Sequence, residues 1–160
     1  MIKPIDPVQP ADENARALAA SLLKLGHAAL AWQDPDTGMP GISRIAFARD
    51  PEAGPLTLIS GLAPHFQSLK RCPDCAFMLG EVGETGDPLT HPRLMIRARA
   101  SFVAPDDPSR ADLRLRWLQR APKALVYIDL RDFAFVRLTP VSALLNGGFA
   151  RAFRLGPEDL

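Results

Sequence analysis

The apolar positions change period several times along the chain. Ala15, Leu18, Ala19, Leu22 and Leu25 recur at helical spacing, with Asp12 placed to cap the start and Gly26 to supply a left-handed stop, so the first helix is predicted there. The period then shortens. His27–Trp32 reads as a strand, Asp34-Pro35-Asp36-Thr37-Gly38 as a turn, and Gly41–Ala48 as a strand with Ile42, Arg44, Ala46 and Ala48 on one face and Ser43, Ile45 and Phe47 on the other. Asp50–Pro55 turns the chain again into a third strand, Leu56–Ser60, and the three together predict an antiparallel meander.

Beyond Ser60 a short helix is expected over Pro64–Arg71, followed by strands at Cys75–Val82 and Arg93–Val103 with a glycine-rich turn, Gly83–Asp87, between them. Pro105-Asp106-Asp107-Pro108-Ser109 opens a further helix, Arg110–Arg120, whose buried face is marked by Leu113, Trp117 and Leu118. The last strands fall at Ala124–Ile128, Phe133–Leu138 and Val141–Leu145. Six or seven strands joined mainly by turns imply antiparallel pairing, and closure of the sheet removes its exposed edges. The fold class is therefore mainly β (α+β): an antiparallel barrel with peripheral helices. Residues 1–11, proline-rich and without periodicity, read as an N-terminal arm, and residues 12–160 as one domain.

Composition narrows the function classes. Nineteen Lys and Arg oppose eighteen Asp and Glu, a net charge of +1, which excludes the strong basic field of a dedicated nucleic-acid binder. No apolar run approaches the ~20 residues of a membrane span, and the N-terminus has no signal-peptide core, so a cytoplasmic location is expected. Cys72-Pro73-Asp74-Cys75 has the spacing of a redox or metal pair, but it follows a helix and leads into an apolar run. Thioredoxin-like sites have the reverse order, so Cys75 reads as a buried strand residue and no metal site is expected.

Three features carry candidate chemistry. Arg44 interrupts an apolar strand. The turn after Ile59 brings Ser60, His65, Gln67 and Ser68 to the start of a helix, whose free N–H groups favour an anion. Arg93 opens the long strand after Asp87-Pro88-Leu89-Thr90-His91-Pro92.

The ordered set Gly38-x-Pro40-x-x-Ser43-Arg44, Ile59-Ser60-x-Leu62-Ala63-x-His65, Gly86-Asp87-Pro88-Leu89 and Pro92-Arg93-Leu94 resembles the pyridoxamine 5'-phosphate oxidase-like family of FMN-binding split barrels. Arg116-x-Leu118-x-Arg120-x-Pro122, Asp132-Phe133 and Gly147-Gly148-Phe149-x-x-Ala152 extend the likeness over about residues 14 to 160, towards the branch that includes haem-utilisation proteins. The resemblance implies a split barrel, a homodimer and FMN in the groove between subunits. It implies that Ser43, Arg44 and Ile45 line the flavin and its phosphate. Ser60 would stand beside the phosphate or ribityl chain, His65 would be a basic phosphate ligand, Gln67 and Ser68 would lie near, and Arg93 would reach the flavin. Phe66 departs from the pattern, since relatives commonly carry Thr or Lys there. Haem-binding members have a further C-terminal region, so FMN is the expected cofactor. An FMN-dependent oxidoreductase of unknown substrate is the expected function, and a non-catalytic FMN or haem carrier is the alternative.

Overall fold

The computed structural model describes residues 7–160. Of the expected arm, residues 1–6 lie outside the described residues, while Val8–Pro10 forms strand β1 along the sheet's edge. Helix α1 spans Glu13–Leu22, with Asp12 Oδ1 accepting the Ala15 N–H at 2.7 Å. The helix stops four residues before Gly26. That glycine instead leads into β2, and its carbonyl accepts the Phe47 N–H at 3.0 Å.

Strands β2 (His27–Gln33) and β3 (Pro40–Ala46) form the expected hairpin, in a register that pairs Leu30 with Ser43 and Trp32 with Gly41. Asp34 Oδ1 accepts the N–H of Asp36 at 2.8 Å and of Thr37 at 3.3 Å, which holds the turn. Gly41 is fixed by contact: a Cβ there would run into the Trp32 ring.

The expected three-strand meander does not form. β4 (Ala48–Asp50) and β5 (Gly54–Ser60) make their own hairpin, and β5 pairs with β8 instead of β3. The physical reason is burial on both faces. Leu56 and Leu58 enter one apolar cluster and Ile59 the other, so β5 must lie between the two.

After α2 (Pro64–Arg71) come β6 (Asp74–Leu79), β7 (Arg93–Phe102) and α3 (Arg110–Arg120). The strand expected over Ala124–Ile128 is a tight helical turn, Pro122–Val126. Ala124 and Ile128 are buried while Leu125 and Val126 face solvent, a helical spacing that a short apolar run concealed. The two strands expected at Phe133–Leu138 and Val141–Leu145 are one, β8 (Phe133–Asn146). Pro140 lies within it at a bulge: Arg97 pairs with Ser142 and Ala98 with Pro140, leaving Val141 extra. β9 (Ala152–Leu155) joins β8 to β1, with which it runs parallel.

β8 is the hinge of the architecture. It pairs with β7 along its length, with β5 through Phe133–Arg137 and with β9 through Ala143–Asn146. The sheet therefore forks at β8 into a mostly antiparallel split barrel enclosing two cores. One is built on Leu30, Phe77, Ile96 and Leu145. The other is built on Trp117 and Phe135, whose rings meet edge to face at 5.6 Å. Among the described residues no helix is long and apolar enough to cross a membrane.

Candidate functional site

Strand alternation distributes the expected site residues over two faces. On β3, Ile45 is buried in the core and Ser43 is turned inward, whereas Arg44 between them is exposed on the outer face. Ser43, Arg44 and Ile45 thus do not line one surface.

Ser43 belongs instead to an internal cluster. Trp32 Nε1 donates to Ser43 Oγ at 3.0 Å, and His65 Nδ1 lies 3.1 Å from the same oxygen. The indole can only donate, so Ser43 Oγ accepts from it and keeps its own proton and a second lone pair for Nδ1, the direction of that bond following the His65 tautomer. Burial favours the neutral ring: His65 is 7% exposed, and desolvation pushes its pKa below 6.5. His65 is thus a buried imidazole whose charged form is disfavoured by desolvation.

The turn before it is filled from within. Ser60 Oγ donates to Asp132 Oδ2 at 2.7 Å and accepts the Leu62 N–H at 3.1 Å. The Gly61 N–H is bonded to the Asp132 carbonyl at 2.6 Å. A carboxylate thus stands where the sequence suggested an anion cradle. Ser68 is buried and donates to the Pro64 carbonyl at 3.2 Å within α2, and Gln67 is exposed. Phe66, the departure from the family pattern, is a core residue, packed edge to face on Phe102 at 5.0 Å. Arg93 is half-buried and folds back, its Nη1 donating to the Leu89 carbonyl at 2.9 Å. Cys75 lies on β6, and burial first, with Asp74 second, pushes its thiol up to about 11, as befits a structural cysteine.

The outer face of β3, β2, β6 and β7 has a different character. One row across it reads Arg44, Ala29, Met78, Met95, and the next reads Ile42, Ala31, Ala76, Arg97. The three alanines leave a shallow apolar depression of about 160 Å³, walled by Ile42, Met78 and Met95. Arg44 borders it on β3 and Arg97 on β7, both exposed. His27 lies two residues before Ala29 on the same face, with Nε2 3.0 Å from Glu81 Oε1. The sequence motifs pointed to Arg44 but missed Met78, Met95 and the alanines. Their signal was the polar-side alternation of β2 and β6, which is unusually apolar for an outer face.

No family model matches the chain. A non-canonical haem oxygenase of Arabidopsis thaliana chloroplasts is 30% identical over 116 residues, a match covering 72% of this chain and 34% of that protein. Haem oxygenase HutZ of Vibrio cholerae is 29% identical over 125 residues, covering 77% of this chain and 70% of the relative. Among solved structures, a haem-binding protein of Mycobacterium smegmatis is 25% identical with a TM-score of 0.76, covering 95% of this chain and 60% of that one. A Listeria innocua protein assigned to the pyridoxamine 5'-phosphate oxidases superposes over 83% of this chain and 98% of its own, at 15% identity and a TM-score of 0.63.

The chain has the split-barrel fold of the pyridoxamine 5'-phosphate oxidase-like proteins.

The two curated relatives are haem oxygenases by name, and the chain spans only about a third of the Arabidopsis protein. The barrel interior is packed with side chains, so a ligand on β2, β3, β6 and β7 would meet their outer face.

Proposed function

We propose that this chain is a haem-binding split-barrel protein, holding the macrocycle on the outer face of β3, β2, β6 and β7, where two copies of the chain meet. The shallow apolar patch of Ala29, Ala31 and Ala76 beside Met78 and Met95, bordered by Arg44 and Arg97, carries this reading. A porphyrin requires an apolar plane, cations for its two carboxylates and a thioether or imidazole donor for iron. Arg44 and Arg97 fit the carboxylates, and Met78 and His27 are the donors within the same face. Bound there, haem would supply the redox and oxygen chemistry that the side chains lack. The chain's own part is to shape the plane, neutralise the carboxylates and exclude water.

The second copy is argued from exposure. Ile42 is 77% and Met78 42% exposed beside the alanine row, an apolar face that a partner's matching face would cover. FMN, the cofactor implied by the sequence resemblance, fits less well. Its phosphate at the Ser60–His65 turn would meet the Asp132 carboxylate, which already holds the Ser60 hydroxyl.

Haemin titration followed by visible absorption tests the proposal, with FMN titrated in parallel. A saturable Soret shift is expected, weakened about tenfold in Arg44→Ala, which loses one charge-assisted hydrogen bond. Stoichiometric FMN uptake with no Soret shift would replace haem by flavin. A monomer by light scattering at micromolar concentration would remove the second copy. Loss of the Soret band on adding ascorbate would place the chain with the oxygenases, and its persistence with the binding proteins.

A further inference from the structure

We infer that a separate cavity beside the start of α3 binds a planar aromatic anion. It has a volume of about 830 Å³ and lies between the end of β7, the turn at Gly61 and residues 129–134. Phe66, Phe102 and Phe133 give it aromatic walls, and Lys70, Arg110 and Arg131 stand around it. It shares no residue with the apolar depression on the outer sheet face, so it stands whether or not haem binds there.

The cations are arranged for a ligand rather than for each other's neutralisation. Lys70 Nζ lies 4.8 Å from the Phe66 ring centre and 5.3 Å from that of Phe102, held above the wall. Two carboxylates also face the cavity, but both are engaged elsewhere. Asp129 is gripped by Arg114 through bonds of 2.7 and 2.6 Å, and Asp132 takes the Ser60 hydroxyl at 2.7 Å. Among the described residues Lys70, Arg110 and Arg131 form no ion pair with a carboxylate. Three cations thus oppose Asp132 and an Asp129 already matched by Arg114, leaving the cavity positive. Ring faces can stack on the phenylalanines while a carboxylate reaches the cations, and the volume lies within the usual range for small-molecule sites.

The test is calorimetric titration of the intact protein with 2-naphthoate, against 2-naphthamide of the same shape without charge. Naphthoate should bind at least threefold more tightly than the amide and weaken with salt. Lys70→Gln and Arg131→Gln should each weaken it about threefold, and together about tenfold, as for exposed charges acting additively. Circular dichroism melts of the variants check that the fold is kept. Protein saturated with haemin should bind naphthoate unchanged. No binding at millimolar naphthoate, equal affinity for the amide, an unaltered double variant or exclusion of naphthoate by haemin would each overturn the inference. Failure of haemin to bind leaves the naphthoate measurement intact and bears only on the haem proposal.

Discussion

Replacing Arg116 by methionine should remove about 2–3 kcal/mol of stability, and the figure follows from how Asp50 is held. Asp50 is 5% exposed, and its oxygens accept from Arg116 Nε at 2.7 Å and Nη2 at 3.1 Å. Its Oδ1 also accepts the N–H of Glu52 at 3.0 Å and of Ala53 at 2.8 Å. Burial by itself would push this carboxyl up, but the guanidinium and the two N–H groups outweigh it and hold the pKa below the ordinary 3.8. Breaking a buried pair by removing one partner costs about 3–5 kcal/mol. The estimate here is lower because the Arg116 side chain is 21% exposed and the two N–H groups remain. Methionine preserves the aliphatic stem, so the loss is mainly electrostatic. Urea unfolding at pH 7 measures it, with an unchanged denaturant slope confirming that both states keep their compactness. A depressed folded-state pKa means the stabilisation is complete above 3.8 and is lost as pH falls through the folded value. The gap between wild type and Arg116→Met should therefore narrow below about pH 4. A loss under about 0.5 kcal/mol at pH 7, typical of surface pairs, or a gap that persists in acid, would refute the reasoning.

Two further predictions concern the internal cluster. Gly41→Val drives a side chain into the Trp32 ring and breaks its bond to Ser43, so overpacking of about 1–3 kcal/mol and a lost hydrogen bond of about 1 kcal/mol should lower the urea midpoint; an unmoved midpoint would show that the ring gives way freely. His65 titrates below 6.5 because it is buried, so the unfolded chain takes a proton that the folded one resists, and wild type should lose stability as pH falls from 7.5 to 5.5. His65→Gln should lose less over that range, and equal slopes would contradict the assignment.

The sequence made the fold class legible because period carries burial: α1, α3, the β2–β3 hairpin and β7 lie close to where alternation and capping put them. Pairing was less legible, since β5 is apolar on both faces and a short run gives no partner. The single strand β8 read as two, because the bulge that admits Pro140 shows only in the pairing with β7. At the site, the fold puts Ser43 beside His65, and local spacing could not show that Asp132, 72 residues beyond Ser60, holds the turn before that histidine. Arg44 was legible as an oddity on its strand. Its neighbours across the sheet were not, because register is a property of the assembled fold.

The forked strand β8 also sets the order in which this molecule can come into being. Residues 133–146 must exist before β5 or β7 finds its principal neighbour, and β1 cannot dock until residues 152–154 have followed. On the ribosome, then, the residues before 133 emerge as hairpins without a seam, with β5 paired only to the short β4. Such non-local pairing slows closure and prolongs exposure of sticky segments. The same strand that gives the finished barrel its two cores makes its assembly wait on residues 133–154.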